Sequence, residues 1–306
     1  MIQEFAKIRN FLKDKKHCKE IFGMKIGIGF DRLTAFSKWG DECYKKIKEF
    51  GFSCVDYNMS DTNDVIYTSS EAESDAVLLK DKALAKEAGI EIFQVHGPWR
   101  WPARDFTDED RAERMEKMKK SIRMTSVIGC KNWVIHPIMP YGVVQINNPD
   151  EVQKTWDMNI EFMSELLKTA KEYDVTICLE NMPMLEFSLA KPADILRVVE
   201  AINDEHFKIC LDTGHVSVFE ELSLGDEVRR LGDKIQTLHV HDNRYSKDLH
   251  MMPYYGIINW QEFADALHEI NYSGVFSLET APPVNLPLDI YEDMYRALFR
   301  IADAII

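Results

Sequence analysis

The stretch IQTLHVHDNRYSKDLH, residues 235–250, sets three histidines and two aspartates beside one short apolar run. Ile235, Leu238 and Val240 have the composition of a buried strand, which puts His239, His241 and Asp242 at or just past its C-terminal end. That end is where α/β barrels carry their chemistry. Taken singly, each histidine reads better as a core side chain satisfied by hydrogen bonds. The stretch gains its meaning from recurrence, because a β-rich run closing on a metal-capable side chain appears again and again along the chain.

Outward from it, the strand-like runs are MKIGIGF (24–30), FSCVDYN (52–58), IEIFQVH (90–96), KNWVIHP (131–137), VTICLEN (175–181), FKICLDTGH (207–215) and YSGVFSLET (272–280). Helix-like runs follow at Lys38–Phe50, Glu71–Ala88, Thr107–Ile128, Asp150–Tyr173, Pro192–Ile202, Leu222–Leu231, Trp260–Ile270 and Leu288–Ile305. Gly51, Gly89 and Gly129 supply stop signals. Eight strand-helix alternations imply a parallel sheet, and the count suggests an α/β fold closed as a single (β/α)8 TIM barrel over residues 23–306. A doubly wound open sheet is the alternative; it places its ligand at one switch point, whereas polar residues end most strands here. Residues 1–22, with Phe5, Ile8 and Leu12 on one side, read as an extra N-terminal helix.

The chain of 306 residues carries 51 acidic against 37 basic side chains, a formal net charge of −14. A nucleic-acid surface needs a positive face to displace counterions, and no basic cluster exceeds short runs such as Lys13–Lys16. The six cysteines form no C-x-x-C pair and read as small core residues of a reduced compartment. The N-terminus lacks the apolar core of a secretion signal, and no run is long enough to span a membrane. A cytoplasmic location is expected. The N-terminal helix and the aromatic mouth could each support a homo-oligomer, though neither has a distinguishing pattern.

The strand ends offer His96, His136, Glu180, Asp212 with His215, His239 and Glu279. In a barrel these positions converge on one mouth. Several carboxylates aimed at one point repel and raise one another's pKa, so a cation or shared protons must make the arrangement tolerable. A divalent metal is the natural remedy, and a mixed imidazole and carboxylate set suits Mn or Zn best, with Co or Mg compatible. Glu180, Asp212, His239 and Glu279 are the first-choice ligands.

LEN (179–181), LDTGH (211–215), LHVHDN (238–243) and SLET (277–280), in this order and spacing, resemble the xylose isomerase-like sugar isomerase/epimerase superfamily, which also contains the AP-endonuclease family of DNA-repair enzymes. The resemblance covers about Met24 to Ile305. It implies a single catalytic metal on Glu180, Asp212, His239 and Glu279, with Glu180 and Glu279 also acting as the acid/base pair. It makes His215 a contact to a substrate oxygen and Glu186 a ligand of a sugar hydroxyl. The multi-metal DNA-repair branch would instead use His96, His136, Glu180, Asp212, His215, His239, Asp248, His250 and Glu279. Asp248-x-His250, the candidate additional metal pair, fits that branch's D-x-H element, but sugar-acting relatives keep a similar D-x-H-x-x-P around one metal. Where relatives often carry P-G-x-G, this chain has Pro253-Tyr254-Tyr255-Gly256.

In the isomerase/epimerase reading a metal holds adjacent oxygens of a hydroxy-ketone, one glutamate removes a C–H proton to give an enediolate, and the other returns one. His96, His136, His215, His250 and Trp99 are then expected against the sugar. Trp99 and Trp101 could stack on its apolar face, while surface solvation suits Arg100 and Arg104. Barrel phosphate sites draw on glycine-rich backbone after strands seven and eight. The last loop, APPVNLPLD, has no glycine, which favours an unphosphorylated substrate. A multi-zinc phosphodiesterase would need basic loops, yet the loop after strand three runs into Asp105, Asp108, Glu109 and Asp110. A metal-dependent sugar-acid dehydratase stays open because it shares proton abstraction from an enolisable carbon. A barrel that only binds its ligand fits poorly with an intact set of ligand candidates.

Overall fold

A computed structural model of the chain describes residues 23–99, 105–244 and 247–306. The expected N-terminal helix, Arg100, Trp101 and Arg104 lie outside the described residues. Eight strands form: β1 (Lys25–Phe30), β2 (Cys54–Asn58), β3 (Glu91–His96), β4 (Asn132–Ile135), β5 (Thr176–Glu180), β6 (Phe207–Asp212), β7 (Ile235–His239) and β8 (Val275–Leu278). The sheet runs in the order β7-β6-β5-β4-β3-β2-β1-β8, and every paired strand is parallel. Val240 closes it: its N–H donates to Ser277 O at 2.8 Å and its carbonyl accepts from Glu279 N at 2.9 Å. The result is the expected (β/α)8 barrel, joined between β7 and β8 by one parallel bridge, Val240 to Leu278.

Local signals set the helices. Ser70 and Glu73 make a capping box before Glu71–Ala88, and Gly89 ends that helix in the left-handed region at φ 68°. Thr107 and Asp110 do the same for Asp108–Ile128. Pro149 and Pro192 occupy first-turn positions where a missing N–H costs nothing. Two expected boundaries are corrected. The Lys38–Phe50 run divides into Arg32–Trp39, a short 3-10 turn and Cys43–Glu49, because Gly40 leaves helical geometry with φ 54° and ψ −141°. LDTGH does not stay extended to His215. Asp212 ends β6 and caps a short helix, Thr213–Ser217, its Oδ1 accepting from His215 N at 2.6 Å.

Strand side chains alternate between faces, so residues two apart share one. Gln94 and His96, Val134 and His136, Cys178 and Glu180, Cys210 and Asp212, Thr237 and His239, and Ser277 and Glu279 are such pairs. Val134, Cys178 and Cys210 pack together as a small cluster of their own, separate from the large apolar core between sheet and helices. The barrel is therefore filled below by small side chains and topped by ionisable ones. β1 places Gly27 and Gly29 at the corresponding positions, and a Cβ on Gly27 would stand 2.8 Å from Val275 Cγ1. The described cysteines, Cys43, Cys54, Cys130, Cys178 and Cys210, are all free and buried. Among the described residues no helix is long and apolar enough to cross a membrane.

Gly97, directly after β3, lies against the Trp133 indole, whose Cε2 would be 2.6 Å from an added Cβ. Gly97→Ala is expected to cost about 1–3 kcal/mol by overpacking. Chemical denaturation should show a lower midpoint with an unchanged slope.

Candidate active site

Glu180 stands at the centre of the mouth, 1% exposed. His239 Nδ1 is 3.0 Å from its Oε1, His136 Nε2 is 3.1 Å from its Oε2, and His96 Nε2 is 3.7 Å from the same oxygen. Glu279 Oε2 reaches within 3.4 Å of His239 Nδ1. Glu180, Asp212, His239 and Glu279 each offer a donor atom within 4.8 Å of the others, and His96 joins Glu180 and His239 in an overlapping group. The far nitrogen of His239 is held as well: Nε2 lies 2.8 Å from Asp56 Oδ2, which also accepts from Gln94 Nε2 at 2.9 Å. Nδ1 is thus the nitrogen directed at the carboxylates.

A second group abuts the first. His215, His241, Asp248 and His250 also place donor atoms within 4.8 Å of one another. His215 Nε2 is 3.4 Å and His250 Nε2 3.2 Å from Asp248 Oδ2, and the His241 and His250 rings stack with centroids 4.2 Å apart. Gly214 makes room for this: a Cβ there would lie 2.0 Å from His241 Cε1. Asn181 exchanges two hydrogen bonds with the Asp212 main chain, and Asn243 ties Gly214 O to Leu249 N, so both asparagines lock loop ends. Asp242 ties down its own loop, accepting from the backbone N–H groups of Tyr254 and Ile258 and from the Trp260 indole Nε1.

Electrostatics separate the two glutamates. Burial alone would raise Glu180, but His239 and His136 outweigh it and hold the carboxyl well below the usual range. Burial raises Glu279 to about 8, a rise that His239 moderates and the Glu180 charge reinforces. Burial, with His136 beside it, lowers His96 to about 4. His215 and His250 go the other way: burial is overcome by Asp212 and Asp248 for His215, at about 10, and by Asp248 and Glu279 for His250, at about 9.

These groups fit a divalent cation. Glu180 Oε2 and Glu279 Oε2 are buried acceptors that no donor meets in hydrogen-bond geometry, a costly state that a cation relieves. Ligand bonds of about 2.0–2.2 Å put opposed donors roughly 4 Å apart, close to the spacing found here.

The mouth has two lobes that share His96, Trp99, His250 and Glu279. The inner one, of about 370 Å³, includes His136, Glu180, Met182, Met184, His215 and Asp248. The outer one, of about 470 Å³, runs over β1, β2 and the loop after β8. Trp99 tilts against His136 with ring centroids 5.2 Å apart, at the junction of the lobes. Of the sites expected from sequence, Asp212, His239 and Glu186 line neither lobe: the first two are fully buried in the donor group, whereas Glu186 is exposed, with only its main-chain carbonyl engaged, by Gln145 N and Ile146 N. Asp56 escapes the sequence reading, and His241, placed at the strand end by that reading, is not among its candidate ligands. Each carried a signal, since Asp56 has the parity of Cys54 in FSCVDYN and His241 follows His239 by two.

The fold and this centre define an α/β-barrel protein with a buried histidine and carboxylate cluster at its C-terminal mouth. Residues 44–299 match the xylose isomerase-like TIM barrel family, and the chain belongs to it. It is 26% identical over 265 residues to a D-psicose 3-epimerase of Enterocloster bolteae, covering 85% of this chain and 83% of that one. A probable endonuclease 4 of Staphylococcus carnosus is 29% identical over 210 residues, 62% of this chain and 65% of its own length. A crystal structure of D-psicose 3-epimerase with D-tagatose from Clostridium cellulolyticum superposes with a TM-score of 0.71 at 18% identity, covering 92% of this chain and 99% of that one.

Two outcomes follow for the centre. Asp56→Asn keeps the shape but weakens the partner of His239 Nε2, and should lower divalent-metal affinity about 10–100-fold in chelator competition. His215 and His250, at about 10 and about 9, hold protons at pH 7, and a metal ligand must shed its own. A metal ion taken up by the second group would therefore release protons, and its affinity would climb as pH rises toward 9; a single ion confined to the first group would not. Calorimetry in buffers of different ionisation enthalpy measures both.

Proposed function

We propose that the chain is a metal-dependent epimerase or isomerase of a neutral ketose or related hydroxy-ketone. The observation that carries this is the meeting of Glu180 and Glu279, from strands three apart around the barrel, in one donor group with Asp212 and His239. Among the described residues no Lys or Arg lines either lobe, and the protonated His215 and His250 there are paired with Asp248, which suits an unphosphorylated substrate. The similarity to a D-psicose 3-epimerase points the same way.

Glu180, Asp212, His239 and Glu279 would hold the ion, Mn or Zn by donor type. When bound it would polarise adjacent oxygens of the sugar and stabilise the negative charge of the enediolate. One glutamate removes the proton from the carbon beside the carbonyl. The other delivers a proton to the opposite face, giving epimerisation, or to the neighbouring carbon, giving isomerisation. His96, low in proton affinity, stays neutral and orients a substrate oxygen. His136 and His215 flank Glu180 and keep its carboxylate turned to the reacting carbon. Trp99 covers the site and excludes water.

The second group, His215, His241, Asp248 and His250, favours one further reading, a multi-zinc phosphodiesterase. Elemental analysis separates the two. About one ion per chain, unchanged in Asp248→Ala/His250→Ala protein, fits the sugar enzyme; two or three zinc ions that fall in that variant, with cleavage of abasic DNA, would replace it. For the sugar enzyme, Glu180→Gln and Glu279→Gln should each lower kcat by roughly 10²–10⁴ in deuterium-exchange assays on ketoses. Full activity in either variant would remove that glutamate from proton transfer.

A further inference from the structure

Among the described residues, every exposed large apolar side chain but Leu79 lies between a strand end and the first turn of the helix that follows it. The C-terminal end of the barrel therefore carries nearly all the large apolar groups left to solvent. Within that end the loops after β4 and β5 stand apart in charge. Residues 137–149 and 181–190 hold one charged side chain between them, Glu186, in a chain that is 29% charged. Tyr141, Val144, Ile146 and Leu185 of these loops are nonetheless exposed, and Phe106 joins them from the loop after β3: a Cβ on Gly142 would lie 3.9 Å from its ring. The three loops are laced into one platform. Gln145 N and Ile146 N donate to Glu186 O at 2.9 and 3.2 Å, Ser188 Oγ to Gln145 Oε1 at 3.0 Å, and Met139 N to the buried Asp105 Oδ2 at 2.9 Å.

Size and charge together select what covers this platform. The five side chains are 37% to 62% exposed, and a half-exposed group of their size shows roughly 100 Å², or about 500 Å² in all. One side of a standard interface is about 800 Å², of which roughly 65% is apolar in homodimers, again near 500 Å². A membrane surface would want lysine or arginine around the apolar groups. The helix starts that flank them instead carry Asp108, Glu109 and Asp110 on one side and Asp150 and Glu151 on the other. Two copies of a chain with a net charge of −14 repel over most of their surface, so a nearly uncharged face is where they can meet. Being apolar, that face is its own complement, as a two-fold contact requires. The acidic helix starts fall at its rim, where salt screens them. The loop after β7 also exposes apolar side chains, but Arg244, Lys247 and Asp248 stand exposed among them.

We propose that the face formed by Phe106, Tyr141, Val144, Ile146 and Leu185 is the two-fold interface of a homodimer. The loop after β5 also lines the inner lobe with Met182, Pro183 and Met184, so the partner abuts one wall of the mouth. The outer lobe, over β1 and β2 on the other side of the barrel, stays open for entry. The interface stands whatever reaction the barrel performs.

Sedimentation equilibrium on the full chain tests this. The wild type should show twice the chain mass at micromolar concentration, and its association should tighten as added salt screens the acidic rim. Val144→Glu and Leu185→Glu, from separate loops, each bury a charge in the contact and should raise the dimer dissociation constant at least about 100-fold. Both positions are exposed in the single chain, so circular dichroism should match the wild type; the second variant keeps the test alive if the first folds poorly. Tyr255→Glu, on the loop after β7, should leave the dimer intact. A wild-type monomer at about 100 μM would overturn the proposal, since a contact of this size holds far below that concentration. So would a dimer that loosens with salt, one that survives both folded variants, or one that Tyr255→Glu breaks in their place.

Discussion

A buried carboxylate surrounded by imidazoles is the constraint on which the rest of this molecule turns. Glu180 has almost no contact with solvent, and an uncompensated charge there would cost several kcal/mol. His239, His136 and His96 face it from the ends of three other strands, so its neutralisation requires the sheet to curl around it. The chain meets that demand by repetition. Strand after strand ends in an ionisable residue two positions beyond a small or polar one, and parallel pairing brings these ends to one level. Small side chains such as Cys178 and Cys210 let the layer above sit close enough for its groups to interact.

The supporting residues show why motif letters go together. The glycine of LDTGH is there for His241, not for the turn alone, and the asparagine of LEN bonds to the main chain of Asp212. Asp56 fixes His239 from behind, which leaves Nδ1 for the common volume. His250 is held in the left-handed region at φ 45°, with its Nδ1 2.9 Å from Glu279 O, so the loop after β7 is tied to the strand that completes the site. The two clusters are one construction, and a change in either is felt by the other through Asp212.

Much of this was legible beforehand, for physical reasons. Short apolar runs with both faces buried read as strands whatever follows them, and Glu71–Ala88, Pro192–Ile202 and Leu288–Ile305 coincide with helices read from periodicity and caps. What failed was where a side chain overrides a pattern. LDTGH looks extended until Asp212 turns back to bond His215 N, a contact that periodicity does not encode. Asp56 carries only the weak signal of its parity in FSCVDYN, and its role shows once the barrel brings His239 across from β7. Glu186 illustrates the converse: spacing from Glu180 places it in the right loop, but not which side of that loop faces the cavity.

The single bridge at Val240 has a consequence for how the protein comes into being. β8 is the last of the eight barrel strands to be made, and it must join both β1, made some 250 residues earlier, and β7. Until it does, a nascent chain holds Glu180, Asp212 and His239 but lacks Glu279. Closure of the sheet and completion of the donor group around Glu180 are therefore one event, dependent on contacts between strands far apart in sequence.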